Sequence, residues 1–151
     1  MREILFKAKT EMIVGAYNCG KEDGEWVKGH LRCDCGKWLI YQFEYDRADY
    51  VAYEVNPETI CQYTGLTDKN GQKIWENDVV KKEFYTDYDN YANLEEYIGF
   101  VKFEDCAWVI ETKVDNRICT RPIIESMAYS EDIKHFEVIG NVFDTPELLN
   151  E

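Results

Sequence analysis

From Trp26 to Cys33 the side chains alternate, with Val27, Gly29, Leu31 and Cys33 on one side of an extended chain and Trp26, Lys28, His30 and Arg32 on the other. A period of two is the pattern of a β-strand with one face buried and one face wet. Trp38–Glu44 and Tyr50–Val55 are rich in aromatic and β-branched residues, which suit a pleated, half-buried surface. Lys21-Glu22-Asp23-Gly24 and Asp34-Cys35-Gly36 supply connections of the kind hairpins use. The sequence therefore predicts a mainly β protein. Apolar runs such as Trp38-Leu39-Ile40-Tyr41 last only a few residues, too short for a membrane helix. Met1–Lys7 lacks the long apolar stretch of a signal peptide, so a cytoplasmic location, away from the membrane, is expected.

The second part of the chain is read from its punctuation. Asn56-Pro57 pairs a capping amide with the residue preset for a first helical position, which predicts one or two helical turns over 57–62. Asp68-Lys69-Asn70-Gly71 reads as a turn, with Gly71 supplying the positive φ. Lys73 to Phe84 reads as a strand pair or one long bent strand. Ile98–Phe103 and Ala107–Thr112 read as a hairpin through Glu104-Asp105, and His135–Phe143 as a final strand. Thr145-Pro146-Glu147 repeats the cap-then-proline device, so a short helical turn is expected over 146–150. With 151 residues the chain suits one continuous domain, or a β-rich N-terminal part (1–55) followed by a C-terminal part (56–151).

Charge is unevenly placed. Residues 1–55 carry 8 basic and 10 acidic side chains and residues 56–82 carry 4 of each, whereas residues 83–151 carry 5 and 16. Most of the net charge of −13 thus lies after residue 82. Such a balance repels phosphate backbones and attracts basic surfaces, so the expected partner is a protein and not nucleic acid.

Little in the sequence points to catalysis. Neither His30 nor His135 sits in a nucleophile–base arrangement, and no GxSxG, HExxH or Walker-type loop occurs. Asp78, Asp105 and Asp132 are weak carboxylate candidates, and no cofactor is implied. The six cysteines, at positions 19, 33, 35, 61, 106 and 119, form no CxxC pair. Reduced thiols are the plain reading of such a set in a cytoplasmic chain. A four-ligand metal site from Cys19, His30, Cys33 and Cys35 would need two hairpins to converge.

One segment stands out as a contact surface. Residues 85–97 hold four tyrosines, four acids and no base, in what reads as a long connection. Tyrosine is favoured at interface centres, and acids speed encounter with a basic surface. Tyr85, Asp87, Tyr88, Asp89, Tyr91 and Tyr97 are therefore the candidate partner-binding residues, facing either another copy of the chain or a basic host protein. The plainer alternative is a solvated acidic loop.

Several blocks together resemble the YopX-like family of phage and prophage proteins. They are Arg2-Glu3-Ile4 with Phe6 and Ala8, Asp23–Gly29, the run 57–82, Gly99–Asp105, Glu137–Phe143 and Pro146–Leu149. The resemblance implies a β-rich N-terminal part followed by a small SH3-like barrel, and it carries no established biochemical role. Asn77 stands where the family usually has glycine, a position asparagine also tolerates because it accepts left-handed φ. Cys61 replaces a commonly small residue, and the cysteine-rich stretch 19–35 is particular to this chain. The function expected is that of a non-catalytic interaction module that binds a protein or itself. The alternative is an acidic mimic that occupies a host nucleic-acid-binding protein.

Overall fold

A computed structural model describes residues 3–11, 20–85, 94–114, 117–123 and 135–149. It is mainly β, as the alternation predicts. Among the described residues the strands are β1 (Phe6–Lys9), β2 (Trp26–Asp34), β3 (Lys37–Glu44), β4 (Asp49–Glu54), β5 (Cys61–Thr67), β6 (Lys73–Trp75), β7 (Asp78–Tyr85), β8 (Leu94–Glu104), β9 (Ala107–Val114), β10 (Arg117–Pro122) and β11 (Phe136–Asn141). Among the described residues, no helix is long and apolar enough to cross a membrane.

The chain divides into two units, Met1–Tyr63 and Thr64–Glu151. The division falls a few residues after the 55/56 boundary read from the sequence, and the reason is hydrogen bonding. The Asn56 N–H donates to the Lys9 carbonyl at 2.9 Å, the Lys9 N–H to Thr59 Oγ1 at 2.9 Å and the Tyr63 N–H to the Leu5 carbonyl at 2.9 Å. These bonds tie 56–63 back onto the first strand.

In the first unit β4, β3, β2 and β1 follow one another as antiparallel neighbours, and the start of β5 pairs with the other edge of β1. A bridge between Thr10 and Val55 links the ends of the meander. Ala8, Val27, Ile40, Val51, Tyr53 and Val55 form the core, with Phe6, Leu31 and Ile60 packed against it. The β2–β3 connection turns on Cys35 (φ 48°) and Gly36 (φ 80°), left-handed geometry that suits a tight hairpin. The helical signal at Asn56 is genuine but shorter than 57–62. Asn56 Oδ1 accepts the Glu58 N–H at 2.9 Å and a single 3₁₀ turn covers Pro57–Thr59, after which the chain is extended again at Cys61. Pairing of Cys61 and Gln62 with Lys7 and Phe6 overrides the local preference.

In the second unit the order is β10-β9-β8-β7-β11, all antiparallel, with β6 beside the later part of β5. Ile74, Val80, Val101, Ile110, Ile123 and Phe136 form its core, flanked by Leu66, Tyr97, Trp108 and Val138. This pairing makes an antiparallel sheet of five strands. Lys73 to Phe84 is two strands, broken where Asn77 takes φ 64° and the buried Asp78 accepts the Trp75 N–H at 2.8 Å. Asn77 thus occupies the left-handed conformation that glycine and asparagine adopt at least cost. The hairpin through Glu104-Asp105 is present, with Asp105 and Cys106 both at positive φ. The tail forms a 3₁₀ turn, Pro146–Leu149, seated over Gly140, where a Cβ would run into Thr145 and Leu148.

Candidate functional site

The candidate connection 85–97 is shorter than the sequence suggests. Tyr85 ends β7 and pairs with Leu94, and Glu95, Glu96 and Tyr97 pair with Phe84, Glu83 and Lys82 inside the β7–β8 ladder. Asp87, Tyr88, Asp89 and Tyr91 lie outside the described residues. Tyr97 is half-buried on the core side of β8, packed against the apolar cluster, with the Arg121 guanidinium 5.4 Å from its ring centroid.

Where Tyr97 enters the sheet, a groove of about 700 Å³ opens. Its floor is apolar: Ile98 and Phe100 from β8, Ile118 from β10, and Leu148 and Leu149 from the C-terminal turn. The register explains the grouping. Phe100 pairs with Glu111 and Lys113 with Ile118, so alternation brings Ile98, Phe100, Glu111, Lys113 and Ile118 to the face opposite the core. Ile118 is 71% exposed.

The rim is charged and internally matched. Glu96 meets the Lys81 ammonium at 2.5 Å, and Glu111 accepts from Lys102, which also bonds Glu104 at 3.1 Å. The hydrogen bond that Lys81 donates to Glu96 holds its amine above its ordinary range, and those that Lys102 donates to Glu111 and Glu104 do the same for Lys102. These pairs lie at the surface, where each contributes little to stability. What the groove offers a ligand is therefore chiefly its floor.

Among the described residues, those considered for chemistry do not assemble. His30 and Cys33 stand an odd number of positions apart on β2 and face opposite sides of the sheet, while Cys35 sits in the following turn. Cys19 lies outside the described residues, and among those described no three His, Cys, Asp or Glu side chains group as a metal site. Asp78 is committed to the Trp75 N–H, Asp105 occupies an exposed turn, His135 is exposed, and Asp132 falls outside the described residues.

A family model described as YopX protein matches residues 20–150. The chain belongs to the YopX family. Among curated proteins, none matches. YopX membership agrees with the lineage read from the 57–82 block, and the structure shows what that block does. The Asp68 carboxylate accepts N–H groups from Asn70, Gln72 and Val138, so this YopX turn fastens β5 and β6 to β11. Thr64 Oγ1 donates to the Ile74 carbonyl at 2.8 Å, locking the same hairpin.

Sequence reading did not find the groove. Ile118 carries no motif, Phe100, Leu148 and Leu149 count only as parts of the family-resembling blocks, and Arg117–Pro122 becomes a strand only by pairing with β9. The alternation of Ile98 and Phe100 with Tyr97 and Gly99 was the one available signal.

Proposed function

We propose that this YopX-family chain works by binding another protein, without catalysis, and that the groove on the second unit receives an apolar side chain from a basic segment of the partner. The observation that carries this reading is the exposed Ile118 beside Ile98, Phe100, Leu148 and Leu149. A grouped apolar surface in water marks a contact site more often than a scattered one does. The net charge of −11 across residues 83–151 favours a basic partner and a fast, salt-sensitive encounter. Tyr85, Asp87, Tyr88, Asp89 and Tyr91, which shortly precede Glu96 and Tyr97 in the sequence, are proposed as further contacts of the same partner. An acidic mimic of nucleic acid would use this charge but would have no use for an apolar floor. Family membership fits a phage-type protein and assigns no reaction.

The test is capture from host-cell extract, with self-association followed in parallel by sedimentation. Ile118→Asp places a charge on the floor and should weaken the captured complex at least about thirty-fold, the effect of losing a central contact of 2 kcal/mol or more. Partners and self-association unchanged in Ile118→Asp at every salt concentration would overturn the reading.

A further inference from the structure

The fold sorts charges that the sequence averages. In the first unit, the registers place Lys7 beside Lys28, Lys9 beside Trp26, His30 beside Tyr41, Arg32 beside Leu39, Asp34 beside Lys37, Phe43 beside Tyr50 and Leu39 beside Glu54. All of these side chains share the face opposite the core. That face holds five of the eight basic side chains of residues 1–55 but only two of the ten acidic ones. Both acids are already engaged, Asp34 by Arg32 at 3.9 Å and Glu54 by Lys37 at 3.0 Å.

The same face carries a row of rings. His30 and Tyr50 have centroids 6.4 Å apart, Tyr50 and Phe43 5.2 Å, and Phe43 and Tyr45 5.1 Å. Tyr50 is 54% exposed and Tyr45, in the turn beyond β3, is 87% exposed. Lys28 and Arg32 stand exposed beside this row, and the ammoniums of Lys7 and Lys9 lie over the Trp26 ring at 5.0 and 5.5 Å. Lys7 is buried at one edge of this face, but the exposed rings beside the exposed cations Lys28 and Arg32 are the elements of a single-stranded nucleic-acid platform: bases stack on the rings while the cations follow the backbone.

We infer that this face of the first unit binds single-stranded nucleic acid. Residues 83–151 carry −11 of the chain's net −13, and the face itself is basic. Acidic peptide is the competing ligand, but it has no bases to stack on four rings in a row.

The test uses the full chain and fluorescence anisotropy with labelled oligothymidylate and oligouridylate, each about 20 nucleotides long, enough to cover a site of this class. With about three phosphate contacts, from Lys9, Lys28 and Arg32, affinity should fall about twenty-fold between about 50 and 200 mM salt, and only about three-fold in Lys28→Ala/Arg32→Ala. Tyr50→Ser should weaken binding about five-fold or more, the loss of one stacked base. Tyr45→Ser, at a side chain almost wholly in solvent, tests the same stacking with the fold undisturbed, as circular dichroism would verify. Tighter binding of the uridylate assigns the site to RNA; equal binding assigns it to single strands in general. Ile118→Asp should bind the oligonucleotides like wild type, which separates this site from the groove. The inference is overturned by absence of binding at about 100 µM protein in low salt, by a duplex binding as tightly as the single strand, by ring variants that bind like wild type, or by displacement with polyglutamate at equal charge.

Discussion

Replacing Asp68 by alanine should unfasten the second unit. The Asp68 Oδ1 accepts the Asn70 and Gln72 N–H groups at 2.8 and 2.9 Å, and its Oδ2 accepts the Val138 N–H at 3.0 Å, seventy residues away. Asn70 and Gln72 are exposed, so water reaches their N–H groups after truncation and each bond costs about 1 kcal/mol. The Val138 N–H lies in a half-buried strand, where losing a charged acceptor costs about 1–3 kcal/mol. The sum is about 3–5 kcal/mol. For a unit of this size each 1 kcal/mol moves the melting temperature by about 4–8 °C, so calorimetry should show a fall of at least about 12 °C. Burial raises the Asp68 pKa, but the hydrogen bonds from Val138, Gln72 and Asn70 outweigh it and hold the group below 3.8. A depressed folded-state pKa contributes stability that is fully present above 3.8 and is lost as pH falls through that value and below it. The gap between wild type and Asp68→Ala should therefore be widest near neutrality and narrow in acid. A variant melting within about 3 °C of wild type at neutral pH, or a gap that ignores pH, would refute the reasoning.

Two further expectations concern single positions. Asn77, at φ 64°, should accept glycine with little change, whereas Asn77→Val should lose about 1–2 kcal/mol in urea unfolding, because a β-branched residue resists left-handed geometry; equal stability of the two variants would count against it. Toward a thiol reagent, Cys33, Cys35 and Cys106 should react within the native state while Cys61, wholly buried with its Sγ 3.3 Å from the Thr59 carbonyl, should react only on unfolding; prompt labelling of Cys61 in a peptide map would contradict its position.

The tyrosine-rich segment and the helical cap show where local chemistry gives way. Asn56-Pro57 promised up to two helical turns and delivered one 3₁₀ turn, because Lys7 and Phe6 were available to pair with Cys61 and Gln62. Residues 85–97 look like a loop by composition, yet both ends continue as strand because Tyr85 and Leu94 lie opposite each other in the β7–β8 register.

What the sequence determined by itself is whatever a few neighbouring residues can enforce. The alternation at 26–33 made a strand, Asp68-Lys69-Asn70-Gly71 made a turn, and Asn77 supplied a left-handed break where glycine is usual. The tertiary structure decided which strand meets which, and at what register. That choice made Arg117–Pro122 a strand, grouped Ile98, Phe100 and Ile118 with the C-terminal leucines, and gathered Lys28, Arg32, Phe43 and Tyr50 on one face. The physical reason is that turn and strand preferences act over a few residues, whereas register is fixed by backbone hydrogen bonds between distant segments and by the burial of one face. A shift of one residue would send every one of those side chains to the other side.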